Sequence, residues 1–211
     1  MLSKTRLTLK HILWFKVCIH LSALLPLLIT YYQAFNDQLG ADPVEALLHF
    51  TGISAFNLLL ISLCISPMAK KLKQGLLLNT RRLLGVYAFV YALAHVSSYI
   101  LFELQLDWRL VVSEVIKRPY ITVGFSAFII LLLMSLTSTK AAQRKLRSNW
   151  QKLHNWVYLA AILVALHYIW SVKSDIAQPI LYWAIVVFLL YFRRQKLTRP
   201  FKRWTKKRQK Q

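Results

Sequence analysis

Two of the chain's six histidines, His95 and His167, lie deep inside long apolar runs. An ionisable group at that depth is costly enough to mark a functional position. A neutral imidazole offers one N–H and one lone pair, which suits metal ligation or proton relay. The heights of the two agree: His95 lies 13 residues past Arg82, and His167 lies 15 past Lys152. At about 1.5 Å of rise per residue, both stand roughly 20 to 22 Å from one basic face. Imidazoles at one level on separate helices can bind a single haem iron from opposite sides. An iron so filled keeps no site for oxygen and passes single electrons. His154, thirteen residues before His167, is a third candidate ligand. On an ideal helix the two point about 140° apart, so a bulge or supercoil is needed to aim both into one groove. His20 is a weaker candidate, and His11 and His49 read as interfacial residues.

The elements that must carry these side chains are apolar helices. The chain is 57% apolar and only 17% charged, a mixture foreign to an ordinary water-soluble domain. Its charges punctuate six apolar runs, which predict spans at approximately 12–35, 46–69, 83–102, 119–139, 153–172 and 176–192. About 20 apolar residues cross the hydrocarbon layer as a helix. No ten-residue alternating pattern suggests a barrel. The expectation is an all-α integral membrane protein, a six-transmembrane-helix bundle forming one domain over 1–211, with a basic tail at 193–211. Each connection reads as a short link between antiparallel neighbours, and no internal repeat is apparent.

Charge gives the orientation. The N-terminus, the second and fourth connections and the tail carry all of the 28 Lys and Arg residues except Arg109, Lys117, Arg118 and Lys173. Those four share the remaining connections with all seven acids, Asp37, Asp42, Glu45, Glu103, Asp107, Glu114 and Asp175. The positive-inside rule then puts both termini in the cytoplasm. A net charge of +21 suits nucleic acid in principle, but anionic lipid already accounts for a juxtamembrane basic tail, and no nucleic-acid partner is expected. The first apolar run lacks a small-residue cleavage site and reads as a retained anchor.

Around the histidines, Tyr91, His95, Ser98, Tyr99 and Phe102 recur at helical spacing and form one stripe on the third run. Trp156, Tyr158, Tyr168 and Trp170 bracket the histidines of the fifth, with Trp150 and Trp170 equally suited to an interfacial belt. Cys18 and Cys64 read as small packing residues. Asp42 before Pro43 reads as a helix cap, as does Thr80 before Arg81 and Arg82, themselves interfacial anchors. Thr137, Ser138 and Thr139 read as local capping and packing. With five glycines and no G-x-G-x-x-G after a strand, the chain has no dinucleotide fold, so electrons must enter from a lipid-soluble carrier or a separate protein.

Several segments together make the chain resemble the ferric reductase-like transmembrane family. They are Leu39-Gly40-Ala41-Asp42-Pro43, His49-Phe50-Thr51-Gly52, Thr80-Arg81-Arg82-Leu83-Leu84-Gly85, Arg118-Pro119-Tyr120, Gln143-Arg144-Lys145-Leu146, Leu153-His154-Asn155 and the run from His167 to Lys173. The likeness is to its haem subunits of periplasmic methionine sulfoxide reductase systems. That resemblance implies a subunit of the bacterial inner membrane that binds haem b and FMN. It also implies electrons drawn from the quinone pool, or from a cytoplasmic flavin reductase, for a molybdenum-containing periplasmic partner that repairs oxidised methionine. It assigns His95, His154 and His167 to haem. Relatives that stack two haems carry a second histidine where this chain has Arg81 and Arg82, which suit a haem propionate or a flavin phosphate instead. The chain is expected to be an electron-transfer subunit and not the catalytic one. The rival readings are a histidine-based proton-coupled transporter and a non-redox membrane anchor for the periplasmic enzyme.

Overall fold

A computed structural model describes the backbone of residues 7–172 and 175–208 and the side chains of 7–172 and 175–193. All regular elements among these residues are helical. They are α1 (Leu9–Phe35), α2 (Pro43–Lys71), α3 (Leu78–Ser98), α4 (Trp108–Lys117), α5 (Pro119–Leu136), α6 (Lys140–Leu146), α7 (Ser148–His154), α8 (Val157–Ser171) and α9 (Ala177–Arg208). A 3-10 turn, Gly75–Leu77, leads into α3, and a π turn, Tyr99–Glu103, extends it.

Five helical segments are long and apolar enough to cross a membrane: Leu9–Phe35, Pro43–Lys71, Gly75–Glu103, Pro119–Leu136 and Ser148–Ser171. Ala177–Arg193 is a shorter apolar helix, in keeping with the short sixth run. The capping chemistry is as the residues suggest for Asp42, whose Oδ1 accepts from the Glu45 N–H at 2.8 Å while Pro43 opens α2. Thr139 caps α6 through Ala142 N–H, and the Thr137 and Ser138 hydroxyls donate to the Leu133 and Met134 carbonyls. Thr80 is not a cap. It lies inside α3 and donates back to the Leu77 carbonyl at 2.8 Å, because the preceding 3-10 turn starts the helical path earlier.

Two connections differ from the simple links expected. The third holds α4, an amphipathic helix capped by Asp107, whose exposed Trp108, Val112 and Ile116 recur every four residues along one stripe. The fourth holds α6 and α7, and the fifth apolar run breaks at Asn155–Trp156, so that α7 and α8 are separate helices.

The bundle is built from paired helices. α2 packs along α3 and α5 along α8, with α9 against α8 and α1 against α3. Ala88, Ala160, Ala161 and Ala165 are sealed inside, and such small residues let helix backbones approach closely in lipid. Around them Phe56, Leu59, Leu63, Ile130, Leu131, Tyr158, Tyr168, Tyr182 and Val186 form the main core. Tyr182 bridges helices by donating to Asn57 Oδ1 at 2.7 Å and stacking on Phe56. A smaller cluster of Ala23, Ala55, Tyr87 and Tyr91 seats α1. Replacing Ala160 by Leu puts extra volume into the closed contact, with an expected cost of about 1–3 kcal/mol, read as a lower midpoint in denaturing-detergent titration.

A candidate cofactor site formed by paired imidazoles

His95 leaves α3 one turn before its π segment, and His167 leaves α8 near its end. The tertiary fold brings them together, with ring centroids 6.3 Å apart and planes nearly perpendicular, at 79°. The matched heights read from sequence therefore become direct proximity.

Each ring is held the same way. His95 Nδ1 bonds the Leu48 carbonyl of α2 at 2.9 Å, and His167 Nδ1 bonds the Tyr120 carbonyl of α5 at 2.8 Å. A carbonyl only accepts, so both Nδ1 atoms carry the proton and both Nε2 atoms keep their lone pairs. Thr51 Oγ1 lies a further 3.5 Å from His95 Nδ1. Among the described residues no hydrogen-bond partner is recorded at either Nε2. The lone pair of each Nε2 is thus left available for a ligand.

A helix carbonyl can be reached from the side only across the residue one turn later, because positions i and i+4 share a face. That residue is glycine in both places. A Cβ on Gly52 would stand 3.1 Å from His95 Nδ1, and one on Gly124 would stand 2.6 Å from His167 Nδ1. In the sequence Gly52 stands out only as a member of the segment His49-Phe50-Thr51-Gly52, with no role attached, and Gly124 does not stand out at all. Their signal is a spacing: Leu48 to His95 and Tyr120 to His167 are each 47 residues apart. The helix pairs α2–α3 and α5–α8 thus carry a repeated device in a chain with no obvious internal repeat.

A polar chain ties the pair together at the acid-bearing end. The Tyr99 hydroxyl, one turn beyond His95, donates to Glu114 Oε2 of α4 at 3.2 Å. Glu114 pairs with Arg118 at 2.6 Å, and Arg118 donates to the Tyr120 hydroxyl at 3.2 Å. The Tyr120 ring stacks on His167 with centroids 6.1 Å apart. The aromatic stripe on α3 divides: Tyr91 and Ser98 are buried against α1, through Ala23 O and Tyr31 Oη, while Phe102 is exposed.

The other candidates lie elsewhere. His154 ends α7, with Nε2 3.2 Å from Thr137 Oγ1 and its ring stacked on Trp150 at 4.1 Å. The break at Asn155–Trp156 removes the fixed ideal-helix angle to His167. Arg81 is half-buried, within electrostatic range of His154, whereas Arg82 is exposed. His20 Nδ1 pairs with the Tyr87 hydroxyl at 2.6 Å. His11 closes a capping box with Thr8, and His49 is exposed. Trp150 is anchored through Nε1 to the Thr137 carbonyl, while Trp170 is half-exposed.

The profile described as "Ferric reductase like transmembrane component" matches residues 50–165, which include Gly52, His95, Gly124 and His154. The chain belongs to this family. Among the family's curated members, proteins from Salmonella newport (strain SL254), Salmonella paratyphi A and Salmonella typhi are each 48% identical over 200 residues. Those matches cover 94% of this chain and 98% of each relative. All three are named "Protein-methionine-sulfoxide reductase heme-binding subunit MsrQ". No solved structure matches the chain.

The close approach at the glycines has a direct test in nitrogen-15 spectra of the imidazoles. The wild type is expected to show both rings as Nδ1–H tautomers. Gly124→Ala should lose that signature at His167, and Gly52→Ala should perturb His95 less, because its added methyl has about half an ångström more room.

Proposed function

We infer that this chain is the haem b-carrying membrane subunit of a methionine sulfoxide reductase system, a multi-pass protein that passes electrons across the bacterial inner membrane. The observation that carries the reading is the imidazole pair itself. Two imidazoles bound trans to one metal through nitrogens at about 2 Å stand with centroids about 6 Å apart, and the pair here stands at 6.3 Å. Among the described residues no group of three or more His, Cys, Asp or Glu side chains could hold a metal. Two protein donors fall short of the four that a structural zinc site takes, but they suit an iron whose other ligands come from a macrocycle.

His95 and His167 would hold the haem, which would supply a reversible one-electron couple. The protein does the rest with its own groups. The Leu48 and Tyr120 carbonyls fix the tautomer of His95 and His167 and raise the basicity of their Nε2 atoms. With an imidazole from each of two helices as ligands, the site would favour electron transfer over oxygen chemistry. His154 is tied to Thr137 and Trp150, and the family resemblance is what links it to haem.

The charge pattern completes the reading. Six spans put the basic N-terminus, connections and tail in the cytoplasm, and the acid-bearing connections in the periplasm. Electrons arrive from the quinone pool or a cytoplasmic flavin reductase, and a molybdenum-containing reductase docks on the acidic face. Tyr99, Glu114, Arg118 and Tyr120 link that face to the imidazole pair.

Purified protein is expected to show the reducible spectrum of a six-coordinate b haem. His95→Ala and His167→Ala should each abolish it, while His154→Ala should leave the signal of this pair in place. A colourless wild type, or an unchanged spectrum in both axial variants, contradicts the assignment.

A further inference from the structure

Among the described residues, positive charge is buried at the basic end of the bundle without a carboxylate to meet it. Arg193, at the end of the last apolar run, is 7% exposed. Its Nη1 donates to the Tyr158 hydroxyl at 3.1 Å and its Nη2 to the Leu63 carbonyl at 3.3 Å. The second contact has a local cause. Pro67, four residues on in α2, has no N–H, so the Leu63 carbonyl lacks its helical donor. Both acceptors are neutral, and the guanidinium, with five N–H groups in all, keeps others unspent.

Arg81 stands half-buried at the start of α3, at the same basic end of the bundle, and its charge and that of Arg193 repel. Among the described residues neither arginine forms an ion pair, and the recorded bridge is Glu114–Arg118 in the acid-bearing connection between α3 and α5. All seven acids of the chain lie in those acid-bearing connections. Two neighbouring guanidinium groups withdrawn from water are strongly unfavourable unless an anion joins them.

Position selects the anion. Arg81 lies two residues before the third apolar run and Arg193 directly after the sixth, which is the depth of bilayer headgroups. A guanidinium fork matches the oxygens of a phosphate. We propose that Arg81 and Arg193, the latter steadied by the Tyr158 hydroxyl, bind the phosphate of one anionic phospholipid, held as a specific structural lipid between α2, α3, α8 and α9. This site is independent of the haem reading and uses none of the imidazole pair.

The test uses the full-length chain in mild detergent. Bound phospholipid is identified and counted by native mass spectrometry for wild type, Arg193→Gln, Arg193→Lys and Arg81→Gln. Rebinding is then titrated with phosphatidylglycerol, cardiolipin, phosphatidylcholine, riboflavin 5′-phosphate and inorganic phosphate. Wild type should retain about one anionic phospholipid per chain and discriminate against phosphatidylcholine. Losing one charge-assisted contact should weaken binding about tenfold or more in the two Gln variants, with Arg193→Lys in between. If Arg193→Gln does not fold, Arg81→Gln decides, since that side chain forms no hydrogen bond among the described residues. Equal retention by wild type and Arg81→Gln, or equal binding of phosphatidylcholine, overturns the proposal. So does occupation of the site by a soluble phosphate in place of lipid, or loss of haem with phospholipid unchanged.

Discussion

An imidazole inside an apolar bundle has two nitrogens to satisfy, and the way this chain satisfies one of them organises the site. Each Nδ1–H goes to a main-chain carbonyl of a neighbouring helix, Leu48 for His95 and Tyr120 for His167. The bond fixes which nitrogen keeps its lone pair, and the helix packing then decides where that lone pair faces. A side chain on Gly52 or Gly124 would block the approach. The site is therefore a property of four helices at once: two supply the rings, and two supply an acceptor with a bare turn beside it.

The same requirement explains why the α2–α3 and α5–α8 pairs are the principal contacts of the bundle. Alanines at Ala88, Ala160, Ala161 and Ala165 bring the backbones close, which keeps an imidazole within reach of a carbonyl on the adjacent helix. With the device built once into each helix pair, packing of the four helices sets the 6.3 Å separation of the rings.

At the acid-bearing end, α4 does a different job. It carries Glu114 to Tyr99 and Arg118, and Arg118 reaches Tyr120. An exposed ion pair alone contributes little. Here it is one link in a chain that joins the end of α3 to the start of α5, both of which bear on the imidazole pair. The basic end differs in kind: Arg193 turns inward onto the carbonyl that Pro67 leaves without a donor, and the two ends carry opposite charge for reasons written into the whole chain.

The sequence by itself determined the helical membrane class, because long apolar runs and segregated charges have few other solutions in lipid. It singled out His95 and His167, since helical rise alone puts them at one height, and it located the Asp42 cap through Pro43. Three things were decided only by tertiary structure. α4 was hidden because it is short and charges off its apolar stripe interrupt the run of apolar residues along the sequence. The break at Asn155–Trp156 carries no proline or glycine to announce it. Gly52 and Gly124 look like ordinary small residues until a second helix brings a ring against each of them. Periodicity along one chain reports which face a residue occupies, whereas the atom it touches depends on the helix packed opposite.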